Sequence, residues 1–233
     1  MATRVKDIES TVTRRTFLAT SAGAGLVMGL GVVLPGCSKE QAVEEMAADG
    51  ASISFAPAVW VEVNGNGKVL VNIAKAEMGQ HVGTALARIV ADELGANWDD
   101  VSIKHVDSDP KWGYMVTGGS WSVFTSFTML SQAGAAGRTI LRDAGAALLG
   151  ADPANATVAN GMVTANGESI SFADVVRKGD ISRTFTDEEM AAMPVTPAPE
   201  RNLIGKPAKA LDIPAKASGA AVYGHDVELD GRV

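Results

Sequence analysis

Two runs of alternating β-prone residues, Val59-Trp60-Val61-Glu62-Val63 and Val69-Leu70-Val71-Asn72-Ile73, are joined by Asn64-Gly65-Asn66-Gly67. Asn-Gly turns accept the positive φ that a tight hairpin needs, so this spacing predicts an antiparallel pair. The next segment restricts the fold further. Val82, Leu86, Ile89, Val90 and Leu94 recur at helical spacing between about Gly79-Gln80 and Ala96, with Gly95 near the end. Val101-Ser102-Ile103-Lys104-His105-Val106 then alternates like a strand. Strand, strand, helix, strand is the order of a small α+β unit.

A second, longer helix is expected from about Thr125 to Leu149. Leu130, Ala133, Ala136, Ile140, Ala144 and Leu148 form its buried stripe. Gly134, Ala135 and Gly137 keep it thin, which suits close packing and costs about 1 kcal/mol per glycine in helix propensity. Asn160-Gly161 between Thr157–Ala159 and Met162–Thr164 signals another hairpin. Ser171 with Asp174 resembles a capping box opening a short helix through Val176. Residues 192–217 hold five prolines and read as an extended connector.

The formal charge of −7, with no Lys/Arg-rich run, argues against nucleic acid or an anionic membrane as the main partner. The single cysteine, Cys37, excludes an internal disulfide framework, a Cys-rich zinc site and an iron–sulfur cluster held by this chain alone. His81, His105 and His225 lack metal-ligand spacing.

The first residues read as an address. Thr13-Arg14-Arg15-Thr16-Phe17-Leu18 pairs two arginines with hydrophobic residues, and Phe17–Leu34 runs without a charge. This looks like a twin-arginine export signal, a route that carries proteins already folded; a plain membrane anchor is the alternative. Leu34-Pro35-Gly36-Cys37 resembles a bacterial lipobox, which makes Cys37 a candidate lipidation site. Cleavage without lipidation, or none, stays open.

Two glycine-bearing turns are candidates for chemistry. Glu77-Met78-Gly79-Gln80 lies between a strand and a helix start. Gly79 permits close approach of a ligand, the free amides of a helix start favour an anion, and the Gln80 amide can donate and accept at once. Thr117-Gly118-Gly119-Ser120-Trp121-Ser122 precedes the long helix. Its successive amides can form an anion-binding nest, with the Ser120 and Ser122 hydroxyls as further donors. Either turn alone reads equally as a capping loop. Glu77, Asp92-Glu93 and Asp99-Asp100 read as solvated acids.

Taken together, EMGQHVGTALARIVADELGANWDDVSIKHVDSDP from Glu77, TGGSWSVFTSFTMLSQAGAAGR through Arg138, and IGKPAKALDIPAKASGAAVYGHDV from Ile204 to Val227 resemble the large subunit of isoquinoline 1-oxidoreductase-type molybdenum hydroxylases. These lie within the xanthine dehydrogenase/aldehyde oxidase family. The resemblance implies an α+β fold of small mixed sheets packed with helices, part of a molybdopterin-binding domain, ending in the first strand of an α/β hammerhead domain. It divides the chain into a signal (1–37), a tether (38–56), a molybdopterin-binding segment (57–192), a linker (193–217) and the start of the hammerhead (218–233).

By the same resemblance, Gly79 and Gln80 contact the pterin, and Gly118, Gly119, Ser120 and Ser122 contact the phosphate or dinucleotide part. The implied cofactor is molybdenum–molybdopterin cytosine dinucleotide, shared with the remainder of the large subunit. A small [2Fe–2S] subunit and an acceptor such as a cytochrome c are the implied partners, in the periplasm, with membrane contact only through the signal or a lipid anchor. Trp121, Phe124 and His81 depart from the side chains expected in relatives. No residue corresponds to the family's C-terminal glutamate base, so no catalytic residue is assigned. The implied reaction is hydroxylation of an aldehyde or N-heterocycle with oxygen from water. A non-catalytic exported remnant or interaction module is the alternative.

Overall fold

A computed structural model describes residues 54–223 and Asp226. The export signal, the lipobox at Cys37 and the terminal residues 227–233 lie outside the described residues. The tether expected over 38–56 gives way at Ser54, where a strand begins.

Strands β1 (Ser54–Ala58), β2 (Val61–Asn64) and β3 (Val69–Ile73) pair antiparallel in sequence order. The β2–β3 turn is closed by the Asn64 side chain, which accepts from the Asn66 and Lys68 amides at 2.9 and 3.0 Å. This is the Asx geometry that makes Asn a turn residue. Helix α1 (Val82–Leu94) then crosses over to β4 (Val101–His105), which lies parallel to β3 from Val69↔Val101 to Ile73↔His105.

Helix α2 (Ser122–Leu148) packs along α1. A Cβ on Gly134 would stand 2.7 Å from both the Val90 carbonyl oxygen and the Glu93 Cβ, so only glycine allows this approach. The expected stripe is buried except at its end: Leu148 is 40% exposed, because the last turn runs past the core.

A second sheet follows: β5 (Thr157–Ala159), β6 (Met162–Ala165) and β7 (Glu168–Ser171) in an antiparallel meander. Its third strand was not expected, although Asn166-Gly167 supplies the same positive-φ turn as Asn160-Gly161. Ser171 caps α3 (Phe172–Lys178), its hydroxyl accepting from the Asp174 amide. Thr186 and Glu189 form a capping box on α4 (Asp187–Ala191).

One expectation fails in the connector. It is not extended throughout: Ala198–Glu200 forms a 3₁₀ turn, and Ile213–Ser218 forms helix α5, with Pro214 in its first turn, where a missing N–H costs nothing. Residues 219–223 form no strand. Gly219 at φ 75° ends α5, and the Ala220 and Ala221 amides fold back onto the Ala215 carbonyl.

Asp92 and Glu93 are also not solvated acids. Glu93 is fully buried and Asp92 nearly so. Asp92 accepts from the Asn202, Leu203 and Ile204 amides at 2.8–3.0 Å. Glu93 accepts from the Thr196 amide and hydroxyl and pairs with Arg201 at 2.7 Å. A connector without a strand partner needs acceptors for its buried amides, and the solvent-turned acids of an ordinary helix supply them here.

Candidate functional site

The two turns singled out in the sequence meet at the carboxyl ends of the parallel strands β3 and β4. Lys75, two residues past β3, is buried and donates to the Tyr114 and Val116 carbonyls at 2.8 and 3.1 Å. The Ala76 amide donates to the Thr117 hydroxyl at 2.8 Å. These bonds fasten the loop before α2 to the loop before α1. Burial pushes the Lys75 ammonium below its ordinary pKa.

In the first loop the Met78, Gly79 and His81 amides are already claimed. Glu77 Oε1 accepts from the Gly79 amide at 2.7 Å and the His81 amide at 3.0 Å. Gln80 Oε1 accepts from the Met78 amide at 2.5 Å, and its Nε2 donates to the Ala76 carbonyl at 2.9 Å. Addressing a pterin edge would require both Gln80 bonds to exchange. Gly79 lies at φ 100° with open space where a Cβ would stand. His81, the residue before α1, adopts φ 56°, a left-handed conformation that costs a non-glycine residue about 1–2 kcal/mol.

The second loop is open. Among the described residues, the amides of Gly118, Gly119 and Ser120 donate to no protein acceptor. Gly119 and Ser120 lie at φ 59° and 60°, and Gly118 has open space at its missing Cβ. Ser122 begins α2, whose first turn carries no side-chain cap. Trp121 and Phe124 are 59% and 83% exposed beside it.

Sequence reading missed a third component. Asp212 and Lys216 of the connector close over the first loop: Asp212 meets His81 Nδ1 at 2.8 Å, and Lys216 Nζ reaches Asp212 at 2.5 Å and Glu77 at 3.1 Å. The signal available was the i,i+4 Asp–Lys spacing around a helix-starting proline. Glu77, expected as a solvated acid, has only 13% of its side chain exposed. Burial raises the Glu77 carboxyl, but the bonds from Lys216, His81 and Gly79 outweigh it and hold its pKa below the usual range. Asp212 is lowered by the same balance, its burial outweighed by bonds from Lys216 and His81. Lys216 is raised, chiefly by its bond to Asp212.

Glu77, His81 and Asp212 offer ligand atoms within 4.8 Å of one another, but the Lys216 ammonium already occupies the position of a cation among them. A cleft of about 730 Å³ lies against this cluster, lined by Ile73, Lys75, His105 and Tyr223 among others.

Two glycine-bearing loops thus lie side by side, each running into a helix N-terminus, and of the two the second has its backbone donors free among the described residues. The chain matches the molybdopterin cofactor-binding domain over residues 11–230, and it belongs to that family. It is 50% identical over 224 residues to the membrane-bound aldehyde dehydrogenase [pyrroloquinoline-quinone] of Gluconacetobacter polyoxogenes, covering 96% of this chain and 29% of that protein. It is 27% identical to the beta subunit of isoquinoline 1-oxidoreductase from Brevundimonas diminuta, covering 99% and 34%. It is 30% identical to a nicotinate dehydrogenase subunit of Pseudomonas putida, covering 74% and 14%. The chain therefore spans about a third or less of the length of these relatives. Quinoline 2-oxidoreductase from Pseudomonas putida 86 aligns over 50% of this chain and 15% of its own, with 26% identity and a TM-score of 0.39.

Proposed function

We propose that this chain is the cofactor-holding front part of a molybdenum hydroxylase large subunit. The complete enzyme oxidises an aldehyde or an N-heterocycle with oxygen from water. The family match supports the cofactor class, and the names of the relatives support the substrate classes. The observation that carries the reading is the open loop: among the described residues, three successive amides, Gly118 to Ser120, meet no protein acceptor beside a capless helix start. That donor set fits a phosphate or pyrophosphate, as in molybdopterin cytosine dinucleotide.

When bound, the molybdenum centre supplies the two-electron oxidation. The chain's own residues bind and orient. Gly118, Gly119 and Ser120 hold the anionic tail by their amides, with the Ser120 and Ser122 hydroxyls as further donors. Gly79 leaves room for the pterin, and Gln80 offers it an amide once its loop bonds exchange. Lys75 keeps the two loops at a fixed separation.

The remainder of the large subunit completes the site, a small [2Fe–2S] subunit takes the electrons, and an acceptor such as a cytochrome c follows. Arg14 and Arg15 direct the folded complex to the periplasm by the twin-arginine route, and Cys37 is the point of lipid attachment. Replacing both arginines with lysine should strand the protein in the cytoplasm, and Cys37→Ser should abolish incorporation of labelled fatty acid.

The deciding experiment is metal and pterin analysis of the chain purified alone and co-expressed with its missing remainder and the small iron–sulfur partner. Molybdenum with a pterin in the complex supports the proposal. Neither in any sample would leave a non-catalytic exported module. Release of a quinone instead would point to the cofactor in the name of the aldehyde dehydrogenase relative.

A further inference from the structure

The first loop is held shut by a residue far away in sequence. Glu77 gathers the Gly79 and His81 amides on one oxygen, while its other oxygen is buried without a partner among the described residues. A carboxylate so placed is costly unless a cation faces it. Lys216 is the cation that meets it, at 3.1 Å, from a helix 139 residues away. The same ammonium reaches Asp212, which in turn holds the His81 ring at 2.8 Å. The Leu211 amide bonds to the Thr84 hydroxyl at 2.9 Å and fixes the approach of this segment to α1. Asp92 and Glu93 pin the upstream connector to the same helix.

We propose that Lys216 is a positioning residue for cofactor binding: through Glu77 and Asp212 it sets the conformation of the Gly79–His81 turn, and thereby the seat of the pterin. The inference rests on the proposed function for the ligand, but not for the latch itself. Lys216 acts through the carboxylate that orders the turn. Its carbon stem cannot substitute, because only a cation offsets both acids. Arginine keeps that charge and can span two carboxylates, so it should replace lysine here.

The test uses the full enzyme, co-expressed with its partner segments, as wild type, K216M and K216R. Hydrogen exchange of the amides in residues 77–81 is read beside molybdenum content per protein. In K216M stripped of cofactor, exchange of the Gly79 and His81 amides should accelerate about tenfold over the equally stripped wild type, while the Gly118–Ser120 amides, exposed in both, do not change. Molybdenum occupancy should fall about tenfold, the scale on which residues supporting a ligand shell act. K216R should restore both. Unchanged exchange in K216M overturns the latch. Faster exchange at full occupancy overturns its role in seating the cofactor. A wild-type enzyme without molybdenum would overturn the proposed function instead, leaving the exchange data to decide the latch alone.

Discussion

The loops at residues 76–81 and 117–122 look alike in sequence and differ in state. Each carries glycine, follows a connection from the first sheet and leads into a helix. In the first, the amides of Met78, Gly79 and His81 end on Gln80 and Glu77. In the second, the amides of Gly118, Gly119 and Ser120 end on no protein atom among the described residues. One loop carries its own anion and the other awaits one. The neighbouring side chains make the difference: a glutamate stands two residues before Gly79, whereas residues 117–122 contain no acid. A glycine-rich helix start is therefore an anion seat only when no local carboxylate fills it.

The largest way to break this contrast is at the buried anchor of the closed side. Glu93→Ala leaves Arg201 buried and unpaired, and should cost about 3–5 kcal/mol by chemical denaturation. Proteolysis should then cut the 193–204 connector first. Gly134→Leu attacks the base both loops share. It overpacks α1 against α2 at a 2.7 Å approach and should cost about 1–3 kcal/mol, moving both loops together. Gly119→Val is specific to the open side. At φ 59° a β-branched residue is strained by about 1–2 kcal/mol, so pterin retention should fall while exchange in residues 77–81 of the cofactor-free protein stays unchanged.

Acid should separate the loops without mutation. Glu77 and Asp212 have folded-state pKa values below their ordinary ones, so their contribution is complete above the usual carboxylate range of about 4. It is lost as pH falls through the lowered values. Lys216 is raised, so its contribution is complete below about 10.5 and lost only as pH climbs through the raised value. Exchange in residues 77–81 should accelerate selectively at the acid end and again at the alkaline end, beyond the ordinary base-catalysed rise seen at 118–120. The smallest effect sharpens the comparison from outside: Lys68→Ala removes an exposed ion pair to Asp100, costs at most about 1 kcal/mol, and should leave both loops alone.

Much of the scaffold was legible. The Asn64–Gly67 turn, α1, β4 and α2 follow from periodicity and turn chemistry, since each depends on neighbours within a few residues. Where the sequence misled, the cause was distance. Asp92 and Glu93 look like the polar face of a helix because their partners, residues 196 to 204, lie more than a hundred positions away. Helix α5 was hidden among prolines because Pro214 breaks a helix interior yet suits a first turn.

By itself, the sequence determined the local elements, the two glycine turns and the family to which they belong. Only the tertiary structure decided what holds the closed turn in place. That hold rests on where Glu77, Asp212 and Lys216 converge, and hydrogen bonds and ion pairs act over a few ångströms whatever the separation along the chain.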